Sequence, residues 1–395
     1  MKNIIDSSFF DKEYNRKNTG ALKYDADIHT TYQGDLIPMW IADMDFKTAP
    51  QIEEALVKEA QSGIYGYNIT DNEYDLLLKN WYIKRMNWNV NPEHNIKTPG
   101  VVFAISAAIN AFTDTGDAVL ICQPVYHPFA NIIKGNNRKL VINELLNING
   151  HYEIDFDDFE RKIIDNKVKL FLLCSPHNPV SRVWTKDELL KIAEICLKHN
   201  VLVISDEIHS DFVFGGYKHI PFASLSKEIA DITITCTAPS KTFNTAGLQL
   251  SNIFVSNDNI RKILLKAYQA TGYGRPNNMG ITATKAAYKY GEEWLNALLA
   301  YLENNVKLLD SILRDTNGKV RLIKPEGTYL MWLDCRNLEL SDKELERLFL
   351  DKAGVWLING STFGKCGSGY MRMNIACPQS ILKQAAERIV NAVKN

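Results

Sequence analysis

Apolar residues gather in short, nearly unbroken runs through the middle of the chain, at positions 118–122, 140–142, 168–174, 201–205, 232–236 and 252–255. Runs of this length that lack alternation predict strands covered on both faces, and so a mostly parallel sheet. Helix starts are written between them. Thr185-Lys186-Asp187-Glu188 places a hydroxyl at an N-cap and a carboxylate three residues on, and the helix it opens turns Leu189, Ile192, Ala193 and Cys196 inward. Thr70-Asp71-Asn72-Glu73 and Ser341-Asp342-Lys343-Glu344 carry the same signature. Beyond about residue 285 the pattern changes to long helices over 292–313 and 341–352, with strands over 329–333 and 370–375. The whole predicts an α/β fold: a large domain over 47–285, a smaller α+β domain over 286–395, and an arm, 1–46, that joins the smaller one. No internal repeat, low-complexity stretch or Gly/Ser linker interrupts the chain, so the two parts are expected to pack closely.

Length and composition bound what such a chain does. At 395 residues it exceeds the size at which one core stops growing. A net charge of −1 offers no argument for a nucleic-acid partner, and no apolar run approaches the roughly 18 residues needed to span a bilayer. The chain reads as a soluble, cytoplasmic protein with no membrane association. Its seven cysteines are scattered without a C-x-x-C pair, which argues against a disulfide framework or structural zinc. Cys122, Cys174 and Cys236 read as small core residues of a reduced protein.

Candidate chemistry gathers where the apolar runs end. Lys241 lies in Thr237-Ala238-Pro239-Ser240-Lys241-Thr242-Phe243-Asn244, directly after the run at 232–236. The run at 201–205 leads into Asp206-Glu207-Ile208-His209-Ser210-Asp211, which puts an acid where a parallel strand leaves the sheet, the place where open α/β sheets hold ligands. The preceding run leads into Cys174-Ser175-Pro176-His177-Asn178-Pro179. Upstream, Thr98-Pro99-Gly100-Val101-Val102 forms a glycine turn into a helix expected from near Phe103, and a helix N-terminus offers N–H groups to an anion. Each element has a plainer reading, since most lysines are solvated and Asn-Pro is a turn signal. Their conjunction makes them candidates.

In this order and at these positions the residues resemble fold-type I pyridoxal-phosphate enzymes, the class I/II aminotransferase superfamily, over nearly the whole chain. The narrower likeness is to its carbon–sulfur lyase branch, the MalY/PatB-like cystathionine β-lyases. It is carried by Ile37-Pro38-Met39-Trp40-Ile41-Ala42-Asp43-Met44-Asp45-Phe46, by Asp206-Glu207-Ile208-His209 and by Ser240-Lys241-Thr242-Phe243-Asn244.

The resemblance implies pyridoxal 5'-phosphate as cofactor, Lys241 as the Schiff-base lysine and Asp206 as partner of the ring nitrogen. It implies further that Asn178 donates to the ring hydroxyl, that Tyr126 stacks on the ring, and that His209 contacts the cofactor. The N–H groups of Val101 and Val102 and the Ser240 hydroxyl would bind phosphate, with Tyr67 supplied by a second subunit of a homodimer. Arg372, on the polar face of Met371-Arg372-Met373-Asn374-Ile375, would clamp the substrate carboxylate, a task suited to a bidentate fork, with Ala42 beside it. Three positions depart from the commoner aminotransferase pattern: Gln249 where many relatives place a phosphate-binding arginine, Ala238 for a serine, and His209 for a tyrosine. The implied reaction is β-elimination on L-cystathionine or a related cysteine S-conjugate, giving a thiol, pyruvate and ammonia. An aminotransferase needs the same lysine, aspartate and arginine and stays open as the alternative, as does an added regulatory binding role. A nicotinamide oxidoreductase is disfavoured, because Gly272-Tyr273-Gly274 lacks the third glycine of its fingerprint. Asp206, His209, Asp211 and His219 satisfy no metal-ligand spacing, so no metal is expected.

Overall fold

The apolar runs become a seven-stranded sheet in the computed structural model, which describes residues 8–26 and 34–394. Its spatial order is Asn95–Thr98, Ser251–Phe254, Thr233–Thr237, Leu202–Asp206, Leu170–Cys174, Ala118–Gln123 and Lys139–Glu144. Ser251–Phe254 runs antiparallel to both its neighbours, and the other pairings are parallel. Both faces are covered, as continuous hydrophobicity requires. Leu170, Leu172 and Cys174 join one core cluster while Phe171 and Leu173, pointing the other way, join a second. The strands start and stop within two residues of the sequence reading, but the edge strand Asn95–Thr98 was not anticipated.

Two of the three predicted caps hold. Thr185 and Ser341 each form a complete capping box with the carboxylate three residues on. At the third site Asp71, not Thr70, is the N-cap: its side chain accepts from the Tyr74 N–H and the helix is Asn72–Met86. A carboxylate one residue later competes better for the helix N–H groups than the threonine hydroxyl does. The helix expected near Phe103 begins two residues earlier, at Val101, directly after the glycine turn. The long helix expected over 341–352 is α-helical over Asp342–Arg347 and continues as a π-turn, Leu348–Lys352.

A four-stranded antiparallel sheet in the order Arg321–Leu322, Leu330–Asp334, Tyr370–Asn374 and Ile358–Asn359 packs with the helices Glu292–Leu313 and Gln379–Lys394. Nearby in sequence to its strands, Val355–Trp356 pairs in parallel with Ile37–Pro38 in a separate two-stranded sheet. Phe10 is fully buried against Phe46, Trp294 and Tyr301. Positions 1–7 and 27–33 of the expected arm lie outside the described residues. Among the described residues no helix is long and apolar enough to cross a membrane. All seven cysteines are free, and Cys122, Cys174 and Cys236 are buried strand residues.

One glycine ties this packing to the lysine turn. Gly291 separates the helices Asn278–Tyr290 and Glu292–Leu313, and a Cβ built there would lie 2.3 Å from Cε1 of Phe243 and 2.6 Å from the Ala287 carbonyl oxygen. Phe243 follows the Lys241 turn and packs on Trp81 and Trp294. Gly291→Ala is therefore expected to destabilise the protein by roughly 1–3 kcal/mol through overpacking, read as a lower urea midpoint at unchanged slope.

Candidate active site

The carboxyl ends of the parallel strands open into a cavity of about 270 Å³. Lys241, Asp206, Asn178, Tyr126, His209, Arg372, Val101, Val102 and Ala42 all line it. Two predicted residues do not. Ser240 sits beside Lys241 on the turn but is not on the wall, and Tyr67 is 97% exposed on a separate hollow that also holds Gln249 and Arg275.

Strand register places the acid. Asp206 ends its strand between Cys174 on one side and Cys236 on the other, and the ladder runs on through Ser175 N–H to the Asp206 carbonyl at 2.9 Å. Its side chain is 4% exposed and Oδ1 accepts one backbone N–H, from Ile208 at 3.2 Å. Burial pushes its pKa up to about 7, against the lowering effect of that N–H and of Lys241. The carboxylate is thus an ion the fold leaves weakly compensated.

The amine comes from the four-residue helix Pro239–Thr242 that follows the next strand. Lys241 keeps part of its surface on the cavity, while its buried Nζ donates to the Ala42 carbonyl at 2.6 Å. Burial brings its pKa down to about 8, opposed by Asp43 and Asp206 and assisted by Arg372. Arg372 arrives from the smaller sheet, 2% exposed, with Nη1 on Asn178 Oδ1 at 3.2 Å and Nη2 on the Trp40 carbonyl at 2.6 Å. Its Nε has no partner among the described residues, and burial brings its pKa down to about 10. With its oxygen engaged by Arg372, the Asn178 amide leaves its N–H₂ to donate elsewhere.

His209 is buried between Phe212 and Tyr329, its Nδ1 unpartnered among the described residues. Burial, with Lys241 and Arg372 nearby, lowers its pKa to about 3, so the ring is neutral. Tyr126 is held by its N–H on the Asn178 carbonyl at 3.0 Å and by edge contact with Phe129. Val101 and Val102 present the first turn of Val101–Phe112 to the cavity. Asp211 and His219 face away from it. Asp211 accepts from Thr242 and Arg85, and His219 lies 2.9 Å from Glu207.

The remaining wall comes from Trp40, Ile41, His127, Cys174, Ile208 and Ile358, none of them expected from sequence to touch a ligand. Nor does the sequence reveal the residues that hold the wall in place. Asn374 donates to the carbonyls of Ile41 and Asp43, each at 2.6 Å. Asn244 accepts from Met44 N–H and donates to the carbonyls of Met44 and Phe46, all at 3.0 Å. Asn374 shares a face of its strand with Arg372, and Asn244 has φ 55°, the left-handed conformation that asparagine tolerates, but neither feature tells from sequence which carbonyls are held.

Known proteins fit this geometry along its full length. The family described as aminotransferase class I and II matches residues 35–389. Cystathionine beta-lyase PatB of Bacillus subtilis strain 168 is 43% identical, covering 97% of this chain and 99% of its own. Protein MalY of Escherichia coli K12 is 33% identical, covering 98% of each. Among solved structures, cystalysin from Treponema denticola, which contains a pyridoxal 5'-phosphate cofactor, superposes with a TM-score of 0.95 at 38% identity over 98% of both chains. The PLP-bound C-S lyase from Staphylococcus hominis gives 0.90 at 34% identity, again over 98% of both. The chain therefore belongs to the class I and II aminotransferase family.

Proposed function

We propose that the protein is a pyridoxal-phosphate-dependent carbon–sulfur lyase, cleaving the Cβ–S bond of L-cystathionine or a related cysteine S-conjugate to give a thiol, pyruvate and ammonia. The observation that carries it is one cavity holding a buried amine, a buried acid and a buried arginine, none with a close counter-ion among the described residues, in a chain 43% identical to a cystathionine beta-lyase over 97% of its length.

The residues fit the cofactor. Asp206, short of donors, suits a protonated ring nitrogen; the Asn178 N–H₂ and the free Nδ1 of His209 suit the ring hydroxyl side; Tyr126 offers a face to the ring. The first-turn N–H groups of Val101 and Val102, with the hydroxyl of Ser240 from the turn that carries Lys241, would hold phosphate, and Lys241 would hold the cofactor covalently. When bound, pyridoxal phosphate supplies the electron sink for negative charge developing at Cα of an amino acid.

The chain's own groups do the rest. Arg372 binds the substrate α-carboxylate with a fork that no protein carboxylate occupies, beside the backbone of Ala42. Lys241, whose Nζ would be released when the substrate amine takes its place on the cofactor, has a pKa of about 8 that suits a base near neutrality, and it takes the Cα proton on Nζ. As the Cβ–S bond breaks, its electron pair leaves with sulfur as thiolate. The enamine so formed hydrolyses to pyruvate and ammonia. Transamination would return that proton elsewhere on the reacting system and needs a keto-acid acceptor.

A homodimer is part of the reading. Ile64, Tyr65, Tyr67 and Ile69 are 81, 61, 97 and 72% exposed, an apolar stretch that supports burial against a second chain, with Tyr67 of the partner subunit at the phosphate. We also assign 47–285 to a large cofactor-holding domain and 286–395, with the arm 1–46, to a smaller one. The central sheet within 95–254 and the pairing of Ile37–Pro38 with Val355–Trp356 support this division. Seven free cysteines support a cytoplasmic location.

Three outcomes are expected. The wild-type protein loaded with pyridoxal phosphate releases pyruvate from L-cystathionine with no keto acid present, and Lys241→Ala abolishes both this and the cofactor's visible absorbance. Full activity in the variant, or a strict need for a keto acid, rejects the lyase. Capture of pyridoxal phosphate by cofactor-free protein requires the neutral amine. Because the folded pKa lies below the ordinary lysine value of 10.5, at about 8, capture speeds up about tenfold per pH unit below that point and levels off above it. Stopped-flow absorbance that still climbs at pH 10 contradicts the depressed pKa. Finally, sedimentation gives a dimer, and a hybrid of Tyr67→Ala with Lys241→Ala subunits is more active than either variant alone; no gain on mixing rules out shared sites.

A further inference from the structure

We propose that Asp211 is a positioning residue that fixes Lys241 through Thr242. The inference rests on Lys241 being the catalytic amine. The turn that carries Lys241 is a four-residue helix, too short to hold its own orientation. Thr242, the next residue, is 2% exposed, and a hydroxyl buried to that degree requires a partner. Threonine at the end of a helix commonly turns its hydroxyl back to its own helix carbonyls. Here Oγ1 donates outward instead, to Asp211 Oδ2 at 2.9 Å.

What makes this contact consequential is where Asp211 stands. It closes the loop that opens at Asp206 and carries His209. Two backbone bonds, Ser210 N–H to the Glu207 carbonyl at 3.0 Å and Phe212 N–H to the His209 carbonyl at 2.9 Å, fix the loop's length. The hydroxyl–carboxylate bond therefore ties the turn bearing the amine to the loop bearing the acid. Strand pairing between Asp206 and Cys236 sets the same spacing from the sheet side, but it ends several residues before Lys241. Beyond the strand end, Thr242 to Asp211 is the bond that carries the register onward.

The carboxylate is itself held in place. Asp211 is 5% exposed, and its Oδ1 accepts from Arg85 Nε at 3.2 Å. Arg85 lies over the Trp81 ring, and its Nη1 donates to Asn296 Oδ1 at 2.9 Å. One oxygen of Asp211 thus faces a cation fixed by two helices, Asn72–Met86 and Glu292–Leu313, which leaves the other aimed at Thr242. A bond to an ionised acceptor is shorter and stronger than one between neutral groups, and so suits the task of holding a turn.

Thr242→Val keeps the shape and removes the donor. It is expected to lower kcat about ten- to a hundredfold with KM within about twofold, the pattern of a misplaced reacting group rather than of lost substrate binding. Visible absorbance should also appear more slowly when pyridoxal phosphate is added to cofactor-free protein. Thr242→Ser restores the hydroxyl and should recover most of both. Arg85→Gln, on the outer side of the network, supplies a second variant should Thr242→Val not fold, and it should shift kcat in the same direction by less. Wild-type kcat and capture rate in Thr242→Val, a Thr242→Ser as impaired as the valine, or an unchanged kcat in Arg85→Gln where that variant must be used, overturns the proposal. Retained activity in Lys241→Ala would instead overturn the reading of the lysine beneath it, so the two failures are distinguishable.

Discussion

The backbone from Trp40 to Phe46 starts on the cavity wall, at Trp40, Ile41 and Ala42, and runs on behind it with few bonds to other backbone, and buried carbonyls without partners are costly. Side chains supply the missing donors. Arg372 takes the carbonyl of Trp40, Asn374 those of Ile41 and Asp43, Lys241 and Tyr329 that of Ala42, and Asn244 those of Met44 and Phe46. Arg372, Asn374 and Tyr329 belong to the smaller sheet and its approach, while Lys241 and Asn244 belong to the turn after the central sheet. Both halves of the molecule are therefore fastened to one segment. Each bond contributes only about 1 kcal/mol net, but leaving its carbonyl unpaired would cost as much again or more. The register of the candidate site across the two sheets follows from satisfying this short backbone.

The same arrangement explains why three ionisable groups lie buried with no close counter-ion among the described residues. Asp206 is pushed up toward 7, while Lys241 and Arg372 are brought down to about 8 and 10, each shifted toward its neutral form, and burial is the leading cause every time. A fold selected only for stability would pair the acid with one of the bases. Here the strand ends hold them apart: Asp206 takes a backbone N–H, Lys241 a carbonyl, and Arg372 a carbonyl and an amide oxygen. Neutral partners, a donor for Asp206 and acceptors for Lys241 and Arg372, hold the side chains still without cancelling their charge, which leaves each charge free for a ligand. By contrast Lys23 and Arg16, just outside the cavity, are paired directly with Asp45 and Asp43 and brace the Trp40–Phe46 segment from behind.

The sequence made the sheet and the charged centre legible because both depend on local or periodic features. Continuous apolar runs mark doubly covered strands, and the acid and the lysine stand where two of those runs end. The central sheet's one strand antiparallel to both its neighbours left no local mark, since Ser251–Phe254 is as buried as the strand Thr233–Thr237 beside it. The carbonyl clamps were hidden for a different reason. Asn244 and Asn374 act on residues some two hundred and three hundred positions earlier in the chain, and an asparagine reads the same in a turn as in a clamp. The Thr70 cap failed on a close competition: Thr70 and Asp71 are adjacent, and only the backbone decides which of them faces the first turn.

Gln249 raises a problem of charge that one chain does not solve. A helix N-terminus offers roughly half a positive charge through its free N–H groups. Val101 and Val102 bring that to the cavity, whereas Gln249 is neutral, exposed and turned to the second hollow. A phosphate dianion at the helix start needs more donors than these. Pro99, one residue before the glycine turn, lines the second hollow, so only the turn itself separates the two spaces. That hollow, about 850 Å³ in volume, carries Tyr67 and Arg275 beside Gln249, next to the exposed apolar stretch around Ile64 and Ile69. The surface that most needs covering on hydrophobic grounds thus adjoins the place most in need of polar donors. On the proposed reading, a second copy of the chain docked there would meet both needs at once, and the phosphate would not depend on a cation at position 249 of its own chain.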